Sequence, residues 1–267
     1  RAGPPHRLLH QEGGMNTPQT VLLKVFRTNP AARVPRYDEF RVPVGPRTTV
    51  LDALLTVRRL KDPGLTVRHS CLHGSCGTCG MRVNGREVLA CVTRLQGLGD
   101  PVVVEPLAGT AVVGDLVVDM EPLYRRLEPV GRPLVRASER AGPDRAEAAA
   151  APGTGPVLEE LERFEDCIEC GLCLSACPVA GDPRFLGPAA LAAAERVLEE
   201  PRGTDGRAVL GLVDDAHGAW RCHLAFECSA VCPAGVDPGG AIMRLRRRLL
   251  ADRLPRLVGR YHQEVPS

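Results

Sequence analysis

The sequence predicts an α+β chain of two domains, a strand-rich one followed by an all-α one, each organised around cysteines. Three observations lead there. Strand periodicity runs through the first part of the chain and ends near residue 107. An Ala-, Pro- and Gly-rich stretch, "RAGPDRAEAAAAPGTGP" (Arg140–Pro156), lacks large apolar groups and reads as a linker. Eleven cysteines fall into three groups, four before that stretch and seven after it.

The elements follow in order. "TVLLKVFR" (Thr20–Arg27) is apolar and β-prone, and "DEFRVPV" (Asp38–Val44) alternates as its partner would. "TVLDALLTVRRL" (Thr49–Leu60) has apolar residues at helical spacing, with Thr48 or Thr49 as N-cap. A cysteine-rich loop follows. "MRVNGREVLAC" (Met81–Cys91) predicts a hairpin, because Asn84-Gly85 suits a type I′ turn. "PVVVEPL" (Pro101–Leu107) is a further strand. Beyond the linker, helices are expected over Pro156–Phe164, Pro188–Glu200 and Asp237–Leu254. The domain limits are thus 20–130 and 157–254, joined by a linker over 131–156, with tails at 1–19 and 255–267. The linker implies two separate cores, and no repeat of 20–50 residues is visible.

Composition narrows the chemistry. The chain has 267 residues and a net charge of +2, so electrostatics give no case for nucleic acid. Almost all positive charge is arginine, with Lys24 and Lys61 the two lysines, which points to a GC-rich genome. Aromatic residues are 3%, so the cores must come from Leu, Val and Ala or form around something else. No apolar run reaches the roughly 18–20 residues of a membrane span. No secretory signal is visible, so a cytoplasmic location is expected. There, eleven cysteines, an odd number, argue for metal or redox chemistry over disulfides. "QEGG" before Met15 can be encoded by a ribosome-binding sequence, so residues 1–14 are expected to be translated leader, with a disordered native tail as the alternative.

The first cysteine group is Cys71, Cys76, Cys79 and Cys91, spaced C-x₄-C-x₂-C…C, the plant-type 2Fe-2S pattern. Gly74, Gly77 and Gly80 interleave with it and let a tight loop aim amides at sulfur. A Rieske centre needs two histidines in place of two cysteines on one iron; no second histidine lies between Cys71 and Cys91, and His73 reads as a solvent-facing loop residue. The second group, "CIECGLCLSACP", has Cys167, Cys170, Cys173 and Cys177 followed by Pro178, the C-x₂-C-x₂-C-x₃-C-P run of bacterial ferredoxins. Zinc is the competing reading, but zinc sites space two cysteine pairs by a longer loop. The third group, "RCHLAFECSAVCP", has Cys222, Cys228 and Cys232, with Ala225 where the template has a cysteine. In two-cluster ferredoxins the fourth cysteine of each run ligates the other cluster. By that rule Cys167, Cys170, Cys173 and Cys232 hold a 4Fe-4S cluster. Cys177, Cys222 and Cys228 are left for a 3Fe-4S cluster, and all eleven cysteines are used. The expected folds are a β-grasp plant-type ferredoxin domain, then an all-α bacterial-ferredoxin-like domain.

Three clusters in this order resemble the iron–sulfur subunit of succinate dehydrogenase and quinol:fumarate reductase. "RTNPAARVPRYDEF", "LDALL", "RHSCLHGSCGTCG", "DLVVDM", "CIECGLCLSACP" and "FLGPAAL" carry the likeness across roughly residues 20–254. The resemblance implies an electron-transfer chain with no acid, base or nucleophile of its own. Its partners would be an FAD-containing flavoprotein that interconverts succinate and fumarate, membrane anchor subunits, and quinone at the anchor interface. It would sit peripherally on the cytoplasmic face of the cell membrane. The 2Fe-2S end would face the flavin and the 3Fe-4S end the quinone. At the quinone end the resemblance points to Pro178, Trp220 and His223, although the segment after Pro178 lacks the family's tryptophan and Ala234 replaces a basic residue. Arg244, Arg246, Arg247 and Arg248 read as a solvated face or an approach to anionic lipid. Two other readings are a soluble, thiol-driven fumarate reductase subunit and a helical interaction module stapled by its clusters.

Overall fold

The computed structural model describes residues 19–28, 34–130, 167–199 and 206–264. The expected leader, the linker and the helix over Pro156–Phe164 lie outside these residues. The first part is a mixed five-stranded sheet in the order β2-β1-β5-β3-β4. Its strands are β1 (Thr20–Arg27), β2 (Arg36–Pro43), β3 (Gly80–Val83), β4 (Arg86–Leu89) and β5 (Val102–Glu105). Strand β1 pairs antiparallel with β2 and parallel with β5. Helix α1 (Val50–Leu60) buries Val50, Leu51, Ala53, Leu54 and Val57. Thr49 is its N-cap: Asp52 N donates to Thr49 Oγ1 and Thr49 N donates to the Asp52 carboxylate. The β3–β4 turn has Asn84 and Gly85 both at positive φ, 49° and 78°, as the type I′ turn requires. Asn84 also ties the sheet, donating to Leu98 O and accepting from Val103 N.

A small hairpin of β6 (Val112–Gly114) and β7 (Val117–Val118) and helix α2 (Glu121–Leu127) complete this part. Period-2 register explains the one buried charge of β1. Val21, Leu23, Val25 and Arg27 all point inward. Arg27 therefore arrives at the core edge and is met by three carboxylates, Asp38, Asp62 and Asp115. Asp115, itself buried, also accepts from the amides of Thr28 and Thr66.

The second part is helical, and no strand occurs among its described residues. It comprises α3 (Leu172–Ser175), α4 (Gly187–Glu199), α5 (Gly206–Val213), a 3₁₀ turn (Ala219–Arg221), α6 (Glu227–Ala230) and α7 (Pro238–Glu264). Small residues on α4 (Ala189, Ala190, Ala192, Ala193 and Ala194) are all buried and let α7 pack closely. No helix among the described residues is long and apolar enough to cross a membrane.

Two expectations change. The cores are not separate: one buried apolar cluster runs from Val21 and Leu54 through Leu123 and Leu172 to Leu191 and Leu245. Helix α2 bridges them, with Arg126 Nε donating to Phe185 O. The basic run is not simply a solvated face. Arg244 pairs with Glu195, Arg248 with Glu199, and Arg246 donates to the carbonyls of Ala219 and Cys222. These partners lie 24 to 49 residues away in sequence, beyond the reach of any local pattern.

The Arg27 cluster sets an order of mutational effects. Arg27→Ala leaves Asp115 buried without its cation and is expected to cost about 3–5 kcal/mol. Thr49→Ala removes only a cap and is expected to cost about 1 kcal/mol. Urea unfolding of the two variants beside the parent protein checks that ranking.

Candidate iron–sulfur sites

The first site is the loop between α1 and β3, with Cys91 just after β4. Cys71 is half-buried and Cys79 and Cys91 are buried. Cys91 follows β4, so the β3–β4 hairpin returns it to the loop, as its place in the sequence led one to expect. Backbone amides point at the sulfurs: His73 N donates to Cys71 Sγ at 3.5 Å, and the Gly74 amide donates to Cys91. The His73 amide, with Ser75 and Cys76, draws the Cys71 thiol down to about 5. Burial, and then Cys79, push Cys91 up to about 11. His73 is exposed, its ring held by Cys71 O and Ser75 Oγ, in keeping with a loop role.

In the helical part, Cys167, Cys170, Cys173 and Cys232 line one largely enclosed apolar cavity, shared with Leu123 of α2, Ala189 of α4 and Val236. These are the four cysteines that the crossed rule joins. Cys177, Cys222 and Cys228 form a neighbouring set, close enough for each thiolate to disfavour the next. Burial pushes Cys170 and Cys228 up to about 11 and raises Cys167, Cys173 and Cys177. Thiolates in such surroundings require positive partners. Amides supply part of that: Glu169, Leu172, Val179 and Ser229 donate to Cys167, Cys170, Cys177 and Cys228. Leu224 N donates to Cys222 at 3.3 Å, and Val236 N to Cys232 at 3.4 Å. Iron would supply the rest, since a coordinated thiol is deprotonated outright.

Among the described residues, no three His, Cys, Asp or Glu side chains converge as they would on a single ion. The sulfurs surround a space instead. That spread suits a polynuclear group better than one tetrahedral zinc.

The two cysteine runs repeat in backbone as well as spacing. Glu169 and Leu224 have φ of 51° and 59°; Gly171 and Phe226 have 80° and 59°. Each pair occupies the same place relative to its first cysteine. Gly171 and Phe226 then start the one-turn helices α3 and α6, which carry Cys173 and Cys228. Ala225 therefore stands in the second run where Cys170 stands in the first. Leu224 and Phe226 hold left-handed backbone without being glycine, a costly conformation for bulky residues. A repeat this short escapes a search for longer periods.

Of the residues expected near quinone, Pro178 and His223 are exposed beside Cys177 and Cys222. Trp220 is half-buried two residues before Cys222. Its Nε1 donates to Asp214 at 2.6 Å, and its ring lies 5.6 and 5.1 Å from the guanidiniums of Arg246 and Arg253. It is a clamp between the 3₁₀ turn and α7. That role needed Asp214, Arg246 and Arg253 in place, which the sequence around Trp220 does not display.

A fold with cysteine loops of this kind defines an iron–sulfur protein with one site in a sheet domain and two in a helical one. A family profile described as "2Fe-2S iron-sulfur cluster binding domain" matches residues 22–125, and one described as "4Fe-4S dicluster domain" matches residues 163–236. The chain is 40% identical to the fumarate reductase iron-sulfur subunit of Mycobacterium tuberculosis over 89% of its own length and 96% of the relative's. It is 32% identical to the succinate dehydrogenase iron-sulfur subunit of Coxiella burnetii, over 87% and 98%. Among solved structures it is similar to a chain of the Mycobacterium smegmatis Sdh1 complex in the apo form, with a TM-score of 0.75 at 26% identity, covering 88% of this chain and 97% of that one. The chain belongs to the family of iron–sulfur subunits of fumarate reductase and succinate dehydrogenase. It is an electron-transfer subunit of an oxidoreductase complex, with 2Fe-2S and 4Fe-4S domains.

Because Cys91 belongs to the continuous core, Cys91→Ala is expected to abolish the 2Fe-2S electron paramagnetic resonance signal and also to lower the melting temperature of the helical part. Limited proteolysis of the variant checks the second effect against local damage alone.

Proposed function

We propose that the chain carries single electrons between an FAD-containing flavoprotein, which interconverts succinate and fumarate, and quinone at a membrane anchor. The carrying observation is the incomplete second cysteine run, in which Ala225 replaces a ligand while the backbone of the run is kept. In this reading Cys71, Cys76, Cys79 and Cys91 hold the 2Fe-2S cluster. Cys167, Cys170, Cys173 and Cys232 hold the 4Fe-4S cluster, and their common cavity supports that set. Cys177, Cys222 and Cys228 hold a 3Fe-4S cluster. The first domain, 20–130, is then a β-grasp of the plant-type ferredoxin kind, and the second, 157–254, a bacterial-ferredoxin-like helical domain reached through the 131–156 linker.

Iron–sulfur clusters supply one-electron redox chemistry, which splits a two-electron flavin couple into single steps. The residues of the chain do the rest. They bind the clusters through thiolates, exclude water with Leu123, Ala189 and Val236, and direct amides at sulfur. Amide donation and exposure tune potential, and the set with Cys222 is the more open, beside exposed Leu224 and Phe226. Pro178 and His223 border it and would meet quinone at the anchor interface, while Trp220 braces the loop from behind. The chain would then be peripheral, on the cytoplasmic face of the cell membrane.

The chain alone is expected to show no succinate dehydrogenase activity with an artificial dye; activity of the isolated chain would overturn the assignment. Iron analysis should give about nine irons per chain, and the oxidised protein should show the paramagnetic signal of a 3Fe-4S centre. Ala225→Cys is expected to raise the count to about ten, abolish that signal and lower the potential of the centre. A wild type that already holds ten and lacks the signal would contradict the three-thiolate site.

A further inference from the structure

We propose that Gly77 and Gly80 are positioning residues for electron passage between the first two cysteine sites. They press the loop carrying Cys76 and Cys79 against the loop carrying Cys170, and a side chain at either position would hold the sites apart. The proposal rests on the assignment of clusters to these loops.

Both glycines are buried. At Gly77 a Cβ would fall 2.7 Å from Ile168 O and 2.9 Å from Cys170 Cβ. Its φ of 70° gives a separate, local reason for glycine there. Gly80 has no such reason. It lies in β3 opposite Leu89, outside the left-handed region, in backbone that any residue adopts. What excludes a side chain is the other domain: a Cβ would sit 3.0 Å from Cys170 O and 3.2 Å from Leu172 Cδ2. Cys170 O is main chain and cannot swing aside as a long side chain would, so the loops would have to part.

The contact is also locked in place. Ser175, one turn along α3, accepts from Ala108 N at 2.8 Å and donates to Glu87 Oε1 at 2.9 Å. Glu87 lies on β4, in the hairpin that returns Cys91. Two hydrogen bonds and two absent side chains thus hold the walls of the two sites in van der Waals contact. Electron tunnelling falls steeply with each added increment of separation, so contact at this place sets how readily an electron crosses.

The test uses the full chain with its clusters loaded. Relaxation of the reduced 2Fe-2S spin is enhanced by a nearby reduced centre, and power saturation of its resonance reads that proximity. Gly80→Ala, and more so Gly80→Val, is expected to saturate at lower microwave power and to slow reduction of the second site in stopped flow. Ser175→Ala, which loosens the contact without adding bulk, should shift saturation the same way. Gly45→Ala, whose added methyl meets only Thr48 Oγ1 at 3.7 Å, should behave as wild type. If the Gly80 variants fail to load iron, Ser175→Ala decides alone. Loaded variants that saturate as wild type overturn the proposal. A wild type with no 2Fe-2S signal overturns the cluster assignment and the proposal with it.

Discussion

A sulfur that ligates iron must be anionic, and an anion in an apolar cavity must be met by positive ends of dipoles or by cations. Much of the local backbone follows from this. Every cysteine run bends so that an amide two residues on faces the first sulfur: His73 to Cys71, Glu169 to Cys167, Leu224 to Cys222. The bend needs left-handed backbone at or just before the donor, and Leu72, Glu169 and Leu224 adopt it. None of the three is glycine, so the strain persists because the surrounding structure holds it. Without bound iron the thiols of Cys91, Cys170 and Cys228 are pushed toward the neutral form. Metal binding by these thiols would release protons and so depend on pH.

The same demand shapes the scaffold around the helical sites. Helix α7 brings arginines to the loop that carries Cys222, and Arg246 caps the carbonyls of Ala219 and Cys222. That guanidinium also lies over Trp220, whose N–H is held by Asp214, and Arg253 joins both. The loop is fixed on its protein side, while Leu224 and Phe226 remain exposed on the other. A fixed back and an exposed apolar front would suit the partner contact proposed above.

The two domains work as one body. Their apolar clusters merge, α2 closes the four-cysteine cavity with Leu123, and the glycines of one cysteine loop seat the other. A one-electron relay needs sites held at constant separation. A shared core achieves that better than two cores joined by a flexible linker, because opening the contact would expose buried apolar surface.

The cysteine runs, the β3–β4 hairpin and the α1 cap were legible in the sequence because each is local. Cysteine spacings of three to six residues in most of the runs, an Asn-Gly pair and a Thr three residues before an Asp are all short-range features. The bounds of β1 were readable for the same reason, since period-2 alternation needs only its own eight residues. What the sequence left undecided depends on residues far apart. Arg27 is a strand terminus until Asp62 and Asp115 arrive beside it. The basic run is a solvated stripe until α4 supplies Glu195 and Glu199. Gly80 is one more flexible loop residue until Cys170 O stands 3.0 Å from its missing Cβ. Covalent spacing set the cysteine runs, and tertiary packing brought Cys232 to the cavity of Cys167, Cys170 and Cys173. Only close packing, which excludes two atoms from one place, decided how near their sites lie.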